Sequence, residues 1–180
     1  MDALLIYNPY AGNKSFSGEL DYTIGKFQDK GVTLSVYRLG GAGALDKFLA
    51  AQKEKYYERV IIAGGDGTVS IVAAALLKQG IDVPLGIIPI GITNDFAKHF
   101  NLPADVGLIA DIIRQDNYAE ADVARVNGEI LTNAALIGVK EFQGLSPCKI
   151  KLESEDFIFE GEIFLALVMN GKSADWVSIW

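Results

Sequence analysis

Cysteine and histidine are almost absent from this chain of 180 residues, which contains one of each, Cys148 and His99. A single cysteine cannot form a disulfide within the chain, and it leaves no thiolate cluster to hold a metal ion. With a single histidine, a Ser-His-Asp triad or a histidine-rich metal site has almost no residues to be built from. These shortages exclude an internal disulfide framework and indicate a reducing compartment.

Positive charge and long apolar runs are also scarce. The chain has 16 Lys and Arg against 23 Asp and Glu, a formal net charge of −7. Without a basic surplus, neither nucleic acid nor a polybasic contact with anionic lipid is an expected partner. No apolar run approaches the ~18 residues that span a bilayer, and no basic leader precedes the first apolar run. We therefore expect a cytoplasmic protein without a transmembrane segment.

Apolar residues are abundant, at 50% of the chain, and in the first 117 residues strand-like runs alternate with helical patterns. Strands are predicted at 3–7, 32–37, 60–63 and 83–89, and helices at 17–30, 44–55, 69–79, 96–100 and 106–114. This alternation predicts a three-layer α/β/α fold around a mostly parallel sheet, with 32–37 as a half-buried edge strand.

The pattern changes after residue 117, where strand-like runs follow one another without helices. Strands are predicted at 119–126, 129–137, 148–152 and 157–169, with turns at 127–128 and 154–156. We predict an α/β domain over 1–117 and a partial antiparallel β-sandwich over 118–180. So small a β region would leave an open edge, and edge pairing between two chains predicts a homodimer.

A glycine-rich turn follows the apolar run 60–63, in the order Gly64, Gly65, Asp66, Gly67 and Thr68. Glycines lack the Cβ atom that keeps a ligand away from the backbone, so the amides of this turn can face an anion. Thr68 is predicted to be the N-cap of the next helix, whose free N–H groups would join the same site. The alternative is a tight strand-to-helix turn that binds nothing.

The carboxylate of Asp66 conflicts with a simple anion site, because it would repel a phosphate group. A cation such as Mg²⁺, or a proton in transfer, removes the conflict. The turn therefore favours a nucleotide phosphate that is bound together with a metal ion.

Two other segments end strands in a similar way. After the run 83–89 come Gly91, Thr93, Asn94 and Asp95, with Thr93 predicted as a helix cap. This polar group either caps the helix or contacts a ligand. After the first strand, the segment 8–14 contains Pro9, which stops the ladder, and Lys14, which offers a cation. In open α/β sheets ligands collect at this carboxyl edge, although each segment is also typical of an ordinary turn.

Three motifs occur in a fixed order along the chain. They are Asn8-Pro9-x-Ala11-Gly12, then Gly64-Gly65-Asp66-Gly67-Thr68, then Pro89-x-Gly91-x-Thr93-Asn94-Asp95-Phe96-Ala97. With them the chain resembles the diacylglycerol kinase catalytic-domain family of lipid kinases, and its bacterial branch most. Later segments at 127–128, 133–138 and 168–172 also look like that family's second domain. The related NAD kinases share the Gly-Gly-Asp-Gly-Thr turn, so a soluble acceptor is a second option.

The resemblance implies transfer of the γ-phosphate of ATP to a lipid hydroxyl, with Mg²⁺, at the membrane periphery. It implies that Asp66 is catalytic and acts near the γ-phosphate, while the metal ligands stay unassigned. The implied nucleotide-binding residues are Asn8, Pro9, Tyr10, Ala11, Gly12, Gly64, Gly65, Asp66, Gly67, Thr68, Gly91, Thr93, Asn94 and Asp95.

The chain departs from the family pattern at several positions. Ser70 and Ile71 stand where the family has Asn-Glu, Ile92 stands where it has Thr, and a family threonine is missing near Leu39. The connection 139–148 is shorter than in the family, and the strand with the proposed general base has no counterpart after Asp175. These departures motivate an alternative, a truncated nucleotide-binding module without catalytic activity.

Overall fold

A computed structural model gives the structure of the chain. It describes residues 1–52, 55–116, 118–121, 123–126, 129–131, 134–137, 148–153, 158–163, 166–169, 173–174 and 177–178. The predicted turns at 127–128 and 154–156 lie outside the described residues, as do the connection 139–147, parts of the motifs at 133–138 and 168–172, and Asp175.

A parallel four-stranded sheet forms the centre of the fold. Its strands are β1 (Asp2–Tyr7), β2 (Thr33–Arg38), β3 (Arg59–Gly64) and β4 (Leu85–Pro89), in the order β2-β1-β3-β4. The two central strands are continuous apolar runs because both of their faces are buried. β2 lies at an edge and is only partly buried, as its alternating sequence predicted.

Five helices cover the two faces of this sheet. They are α1 (Phe16–Gln28), α2 (Ala44–Ala51), α3 (Asp66–Lys78), α4 (Asp95–His99) and α5 (Val106–Arg114). Phe27 of α1 and Ile109 of α5 share a core cluster with Leu5 and Ile61, whereas α2 and α3 pack with Leu4 and Ile62 in a second cluster. Because neighbouring strand residues point to opposite faces, the core has three layers, which confirms the predicted α/β/α class.

Short antiparallel strand pairs follow the α/β part. β5 (Ala124–Val126) pairs with β6 (Glu129–Leu131), β7 (Ala134–Ile137) with β10 (Ala166–Met169), β8 (Cys148–Glu153) with β9 (Ile158–Ile163), and β11 (Ser173–Ala174) with β12 (Val177–Ser178). Val126 is in register with Glu129 in the first of these pairs. The antiparallel character predicted for this region is confirmed, and a domain boundary at 117/118 stays a prediction.

The predicted run 129–137 contains β6 and β7, which pair with different partners, β5 and β10. The predicted run 157–169 contains β9 and β10, which pair with β8 and β7. Residues 132–133 and 164–165 between these strands lie outside the described residues. One predicted helix bound was wrong. α2 ends at Ala51, four residues earlier than predicted. Among the described residues, no helix combines the length and the apolar character that crossing a membrane requires.

Candidate functional site

The three predicted motifs lie at one edge of the sheet. Tyr7 is in register with Ala63, and Gly64 is in register with Pro89, so β1, β3 and β4 end side by side. Since the strands are parallel, their following loops all leave from the same carboxyl edge. The topology therefore brings together the segments 8–14, 64–68 and 90–95.

Asn8 joins the first segment to the glycine turn. Its side-chain amide Nδ2 donates to Thr68 Oγ1 at 2.9 Å, and its Oδ1 accepts from the backbone N–H of Tyr10 at 2.9 Å. Its own backbone N–H donates to the carbonyl oxygen of Ala63. The Asn8 side chain thus joins the loop after β1 to α3 through Nδ2 and closes the loop itself through Oδ1, while its backbone N–H joins the loop to β3.

The prediction that Thr68 caps α3 was wrong. The helix begins at Asp66, its N-cap is Gly65, and Thr68 is the third helical residue. The Thr68 side chain is 4% exposed and accepts the hydrogen bond from Asn8. Its hydroxyl accepts from a partner that is distant in sequence, and the N-cap, Gly65, has no side chain with which to cap the first turn of α3.

Close approach of other atoms requires glycine at four positions of the cluster, and at three of them those atoms belong to the backbone. A Cβ atom on Gly91 would lie 2.5 Å from the Cα atom of Gly65, and one on Gly65 would lie 3.0 Å from the Cα atom of Gly91. A Cβ on Gly64 would collide with the Thr68 side chain. Gly12 has a positive φ of 54°, and a Cβ there would collide with the carbonyl oxygen of Ile90.

Gly67 is the exception among these glycines. A Cβ atom at this position would meet nothing within 4 Å, and the residue is exposed. Packing of the described residues does not explain why position 67 lacks a side chain.

The Asp66 carboxylate connects the glycine turn to the third segment. Oδ2 accepts from Thr93 Oγ1 at 2.7 Å and from the N–H of Asp95 at 3.0 Å, and Oδ1 accepts from the N–H of Phe96 at 2.8 Å. Two of these donors are backbone groups at the start of α4. Asp66 therefore caps α4, although the first residue of that helix, Asp95, follows Asp66 by 29 residues in the sequence.

The prediction that Thr93 caps α4 was also wrong. The N-cap is Asn94, which has a left-handed backbone with φ 51°. Its side chain closes the loop, because Oδ1 accepts from the N–H of Gly91 and Nδ2 donates to the Gly91 carbonyl oxygen, each at 2.9 Å. Thr93 does not cap α4 because the Asp66 carboxylate accepts the hydrogen bonds from the first N–H groups of that helix. The Thr93 hydroxyl donates to the same carboxylate.

The comparisons with known proteins identify the family. The family model described as "Diacylglycerol kinase catalytic domain" matches residues 2–126. The chain belongs to this family.

Curated and solved diacylglycerol kinases agree with the assignment. The diacylglycerol kinase of Staphylococcus saprophyticus is 29% identical over 192 residues, which cover 92% of this chain and 63% of the relative. That of Bacillus subtilis is 28% identical over 193 residues, with 92% and 64% covered. A crystal structure of a diacylglycerol kinase from Bacillus anthracis has a TM-score of 0.74 and 26% identity, with 96% of this chain and 65% of that chain covered. The chain therefore spans less than two thirds of the length of each of these proteins.

The cluster of this diacylglycerol kinase catalytic domain holds few free acidic oxygens. Asp66 uses three of its roughly four lone-pair positions within the chain. The Asp95 carboxylate is 13% exposed and lies 3.8 Å from Lys98 Nζ. In the described part of the chain, no group of three or more Asp, Glu, His or Cys residues is arranged to hold a metal ion.

Most of the predicted site residues meet at this edge. Asn8, Gly12, Gly64, Gly65, Asp66, Thr68, Gly91, Thr93 and Asn94 contact one another as described, and Asp95 is joined to them through its backbone N–H. Pro9 is buried and Tyr10 is 68% exposed. Ala11 lies in the same turn, where its N–H donates to the Asn8 carbonyl oxygen. Whether these residues bind a nucleotide stays a prediction.

Two participants were missed by the sequence reasoning. Phe96 contributes its backbone N–H to Asp66, and Arg38, the last residue of β2, lies beside Tyr10. Phe96 was visible only as part of the third motif, and no local pattern distinguishes Arg38 from a surface cation. Their placement depends on strand order, which the spacing of residues does not reveal.

Proposed function

We propose that this domain binds MgATP with the phosphates against the glycine turn and transfers the γ-phosphate to a lipid hydroxyl. The observation that carries the proposal is Gly67, the residue in the turn that lacks a side chain without a packing reason. A ligand that approaches the backbone at position 67 supplies the missing reason. Phosphate oxygens require such an approach in order to reach backbone amides.

The start of α3 supports this position for the phosphates. The helix has 13 residues, and the N–H groups of Asp66 and Gly67 in its first turn have no intrahelical acceptor. The aligned peptide dipoles also place a partial positive charge at this end of the helix. An anion at Gly67 would therefore find both hydrogen-bond donors and a favourable potential.

The residues also fit a magnesium ion that accompanies the nucleotide. Mg²⁺ in such sites is held mostly by phosphate oxygens and water, with one or two carboxylates. Asp66 has one lone-pair position left for that purpose. The ion would neutralise charge that develops on the transferred group, while Asp66 keeps the turn and α4 in place.

Positioning and charge neutralisation account for most of the catalysis of phosphoryl transfer. In this domain the backbone contacts between Gly65 and Gly91 and the three bonds of Asp66 keep the cluster in one arrangement. Because the curated relatives are named diacylglycerol kinases, we propose diacylglycerol as the first acceptor to test. A lipid acceptor would bring the protein to a membrane surface.

A second candidate is a nucleotide-binding module without turnover. The observation that favours it is the Asp66 carboxylate, which is committed to three hydrogen bonds within the chain. A carboxylate that braces two loops does not need to take part in the reaction. This candidate shares the nucleotide site and differs only in the transfer step.

Calorimetric titration with MgATP tests the site. Gly67→Val adds a side chain where the phosphates are proposed, and Gly25→Val adds one in α1, where a Cβ also meets nothing within 4 Å. We expect Gly67→Val to weaken MgATP binding by at least about tenfold, because it blocks access to the amides. Gly25→Val should bind like the parent chain. Equal affinity in both variants would refute the site.

Transfer of label from ATP to lipid separates the two candidates. The chain is incubated with labelled ATP, Mg²⁺ and either diacylglycerol, a sphingoid base or undecaprenol in mixed micelles. Labelled lipid at more than one product per protein molecule identifies a lipid kinase. Saturable MgATP binding without any labelled lipid supports the second candidate.

A further inference from the structure

An arginine that belongs to none of the three motifs lies at the same edge of the sheet. Arg38 is the last residue of β2 and is in register with Tyr7, the last residue of β1. Its guanidinium carbon lies 5.7 Å from the centroid of the Tyr10 ring. The Arg38 side chain thus reaches from the end of β2 to the segment that follows β1.

The position of Tyr10 is set by the loop that carries it. Its N–H donates to Asn8 Oδ1, and Asn8 is bonded in turn to Thr68 of the glycine turn. The Tyr10 ring is 68% exposed. A guanidinium over an aromatic face is attracted by the ring and keeps its N–H donors for other acceptors. Arg38 is therefore a cation with free donors beside the loop that contacts the glycine turn.

Arg38 is not neutralised by the part of the chain that the structure describes. None of the described carboxylates comes within 4.0 Å of its guanidinium, whereas Lys30 pairs with Asp111 and Lys78 pairs with Asp46. Because the chain carries a net charge of −7, Arg38 supplies positive charge at this edge that the chain as a whole lacks. Its guanidinium offers a fork of donors that suits phosphate oxygens.

We propose that Arg38 is a further nucleotide-binding residue, which contacts the phosphate oxygens of the nucleotide from the β2 side of the site. The inference rests on the proposed function and extends it. The amides at the start of α3 would contact the phosphates from the glycine turn, and Arg38 would add a charged donor from β2, on the other side of β1. The contact with the Tyr10 ring keeps the guanidinium beside the loop that follows β1.

The test measures MgADP affinity by calorimetry at low and at high sodium chloride concentration. Arg38→Gln removes the charge, and Arg38→Lys keeps it without the planar fork. Arg114→Gln is the matched control, because Arg114 is an exposed arginine in the last turn of α5. Arg114 precedes Asp116 by two residues, and Asp116 pairs with Arg59, the first residue of β3. Arg114 is therefore placed toward the amino ends of the strands, opposite the carboxyl edge that carries the candidate site.

We expect Arg38→Gln to weaken MgADP binding about tenfold at low salt and to reduce its salt dependence, because a charge-assisted contact is screened by salt. Arg38→Lys should lie between Arg38→Gln and the parent chain, and Arg114→Gln should match the parent. Arg38→Gln within twofold of the parent at low salt would overturn the inference. An equal loss at both salt concentrations would also overturn it, since the contact would then not depend on charge.

Gly67→Val in the same titration separates a failure of the proposed nucleotide site from a failure of the role proposed for Arg38. If Gly67→Val abolishes MgADP binding and Arg38→Gln leaves it unchanged, the site stands and the role of Arg38 is refuted. If the parent chain does not bind MgADP, both proposals fall.

Discussion

The two glycine turns of the sheet look alike in sequence but are used differently in the structure. The first, at 64–68, leads into a helix of 13 residues whose first N–H groups receive no side-chain cap from the described residues. The second, at 90–95, leads into a helix of five residues whose first N–H groups are bonded to Asp66. The side chains of both turns are hydrogen-bonded within the chain, but only in the second turn do these bonds cap the following helix.

This difference assigns separate tasks to the two turns. The side-chain amide of Asn94 makes two hydrogen bonds with the backbone of Gly91, and Thr93 donates to Asp66. These bonds hold the second turn closed and join it to the first, and we call them the brace. The first turn contributes Asp66 to that brace and keeps Gly67 exposed. A pair of similar motifs can therefore consist of one turn closed by hydrogen bonds and one turn with an exposed glycine.

The largest effect is expected from Gly91→Ala. Its new Cβ would lie 2.5 Å from the Cα atom of Gly65, and backbone cannot move aside as a flexible side chain can. We expect a loss of about 3 kcal/mol in the free energy of unfolding, measured by urea denaturation. Gly67→Ala is the control, and its stability should be unchanged or slightly higher, because its Cβ meets open space. Equal losses in both variants would remove the distinction between the turns.

Asp66→Ala should follow in size. It leaves the N–H groups of Asp95 and Phe96 and the hydroxyl of Thr93 without their acceptor. In a partly buried site we expect a loss of about 2 kcal/mol, again from urea denaturation. Asp105→Ala, which removes an ordinary N-cap with one bond to the Leu108 N–H, should cost about 1 kcal/mol. A smaller loss for Asp66→Ala than for Asp105→Ala would contradict the brace.

Thr93→Val removes one of the three donors to Asp66 while keeping the shape of the side chain. We expect a loss of about 1 kcal/mol, since a single hydrogen bond is lost and Asp66 keeps two others. Thr33→Val at the exposed start of β2 is the control and should change stability by less than about 0.5 kcal/mol. Thermal unfolding of the two variants side by side measures the difference.

The smallest effect is expected from a pair outside both turns. Lys78 Nζ lies 3.7 Å from Asp46 Oδ2, and the lysine side chain is 71% exposed. Exposed ion pairs contribute little, so Lys78→Ala should change the free energy of unfolding by about 0.5 kcal/mol or less. A larger change would show that the α2–α3 contact matters as much as the turns do.

Elements buried on both faces were the most predictable from sequence. The apolar runs 3–7 and 60–63 became β1 and β3, each extended by a residue or two. α5 was predicted with its observed bounds, because its apolar face has helical periodicity and its cap, Asp105, is local. The spacing of apolar residues within one strand or helix shows which of its faces are buried, and this spacing can be read from neighbouring residues in the sequence.

The caps of α3 and α4 were predicted wrongly for a common reason. Thr68 and Thr93 are the residue types that cap helices, and each stands near a helix start. In the structure both hydroxyls bond to residues of another segment, Asn8 and Asp66. A local capping rule cannot anticipate a competing partner that is 60 or 27 residues away.

By itself, the sequence determined the α/β class, the three strand-end motifs and the membership of the diacylglycerol kinase catalytic domain family. These follow from burial periodicity and from glycines at strand ends, which are properties of short segments. The tertiary structure decided that Asp66 of the first turn caps α4 and that Gly67 is exposed, and it placed Arg38 beside Tyr10. The physical reason is that hydrogen bonds and charge contacts depend on distance in space, which the strand order and register set.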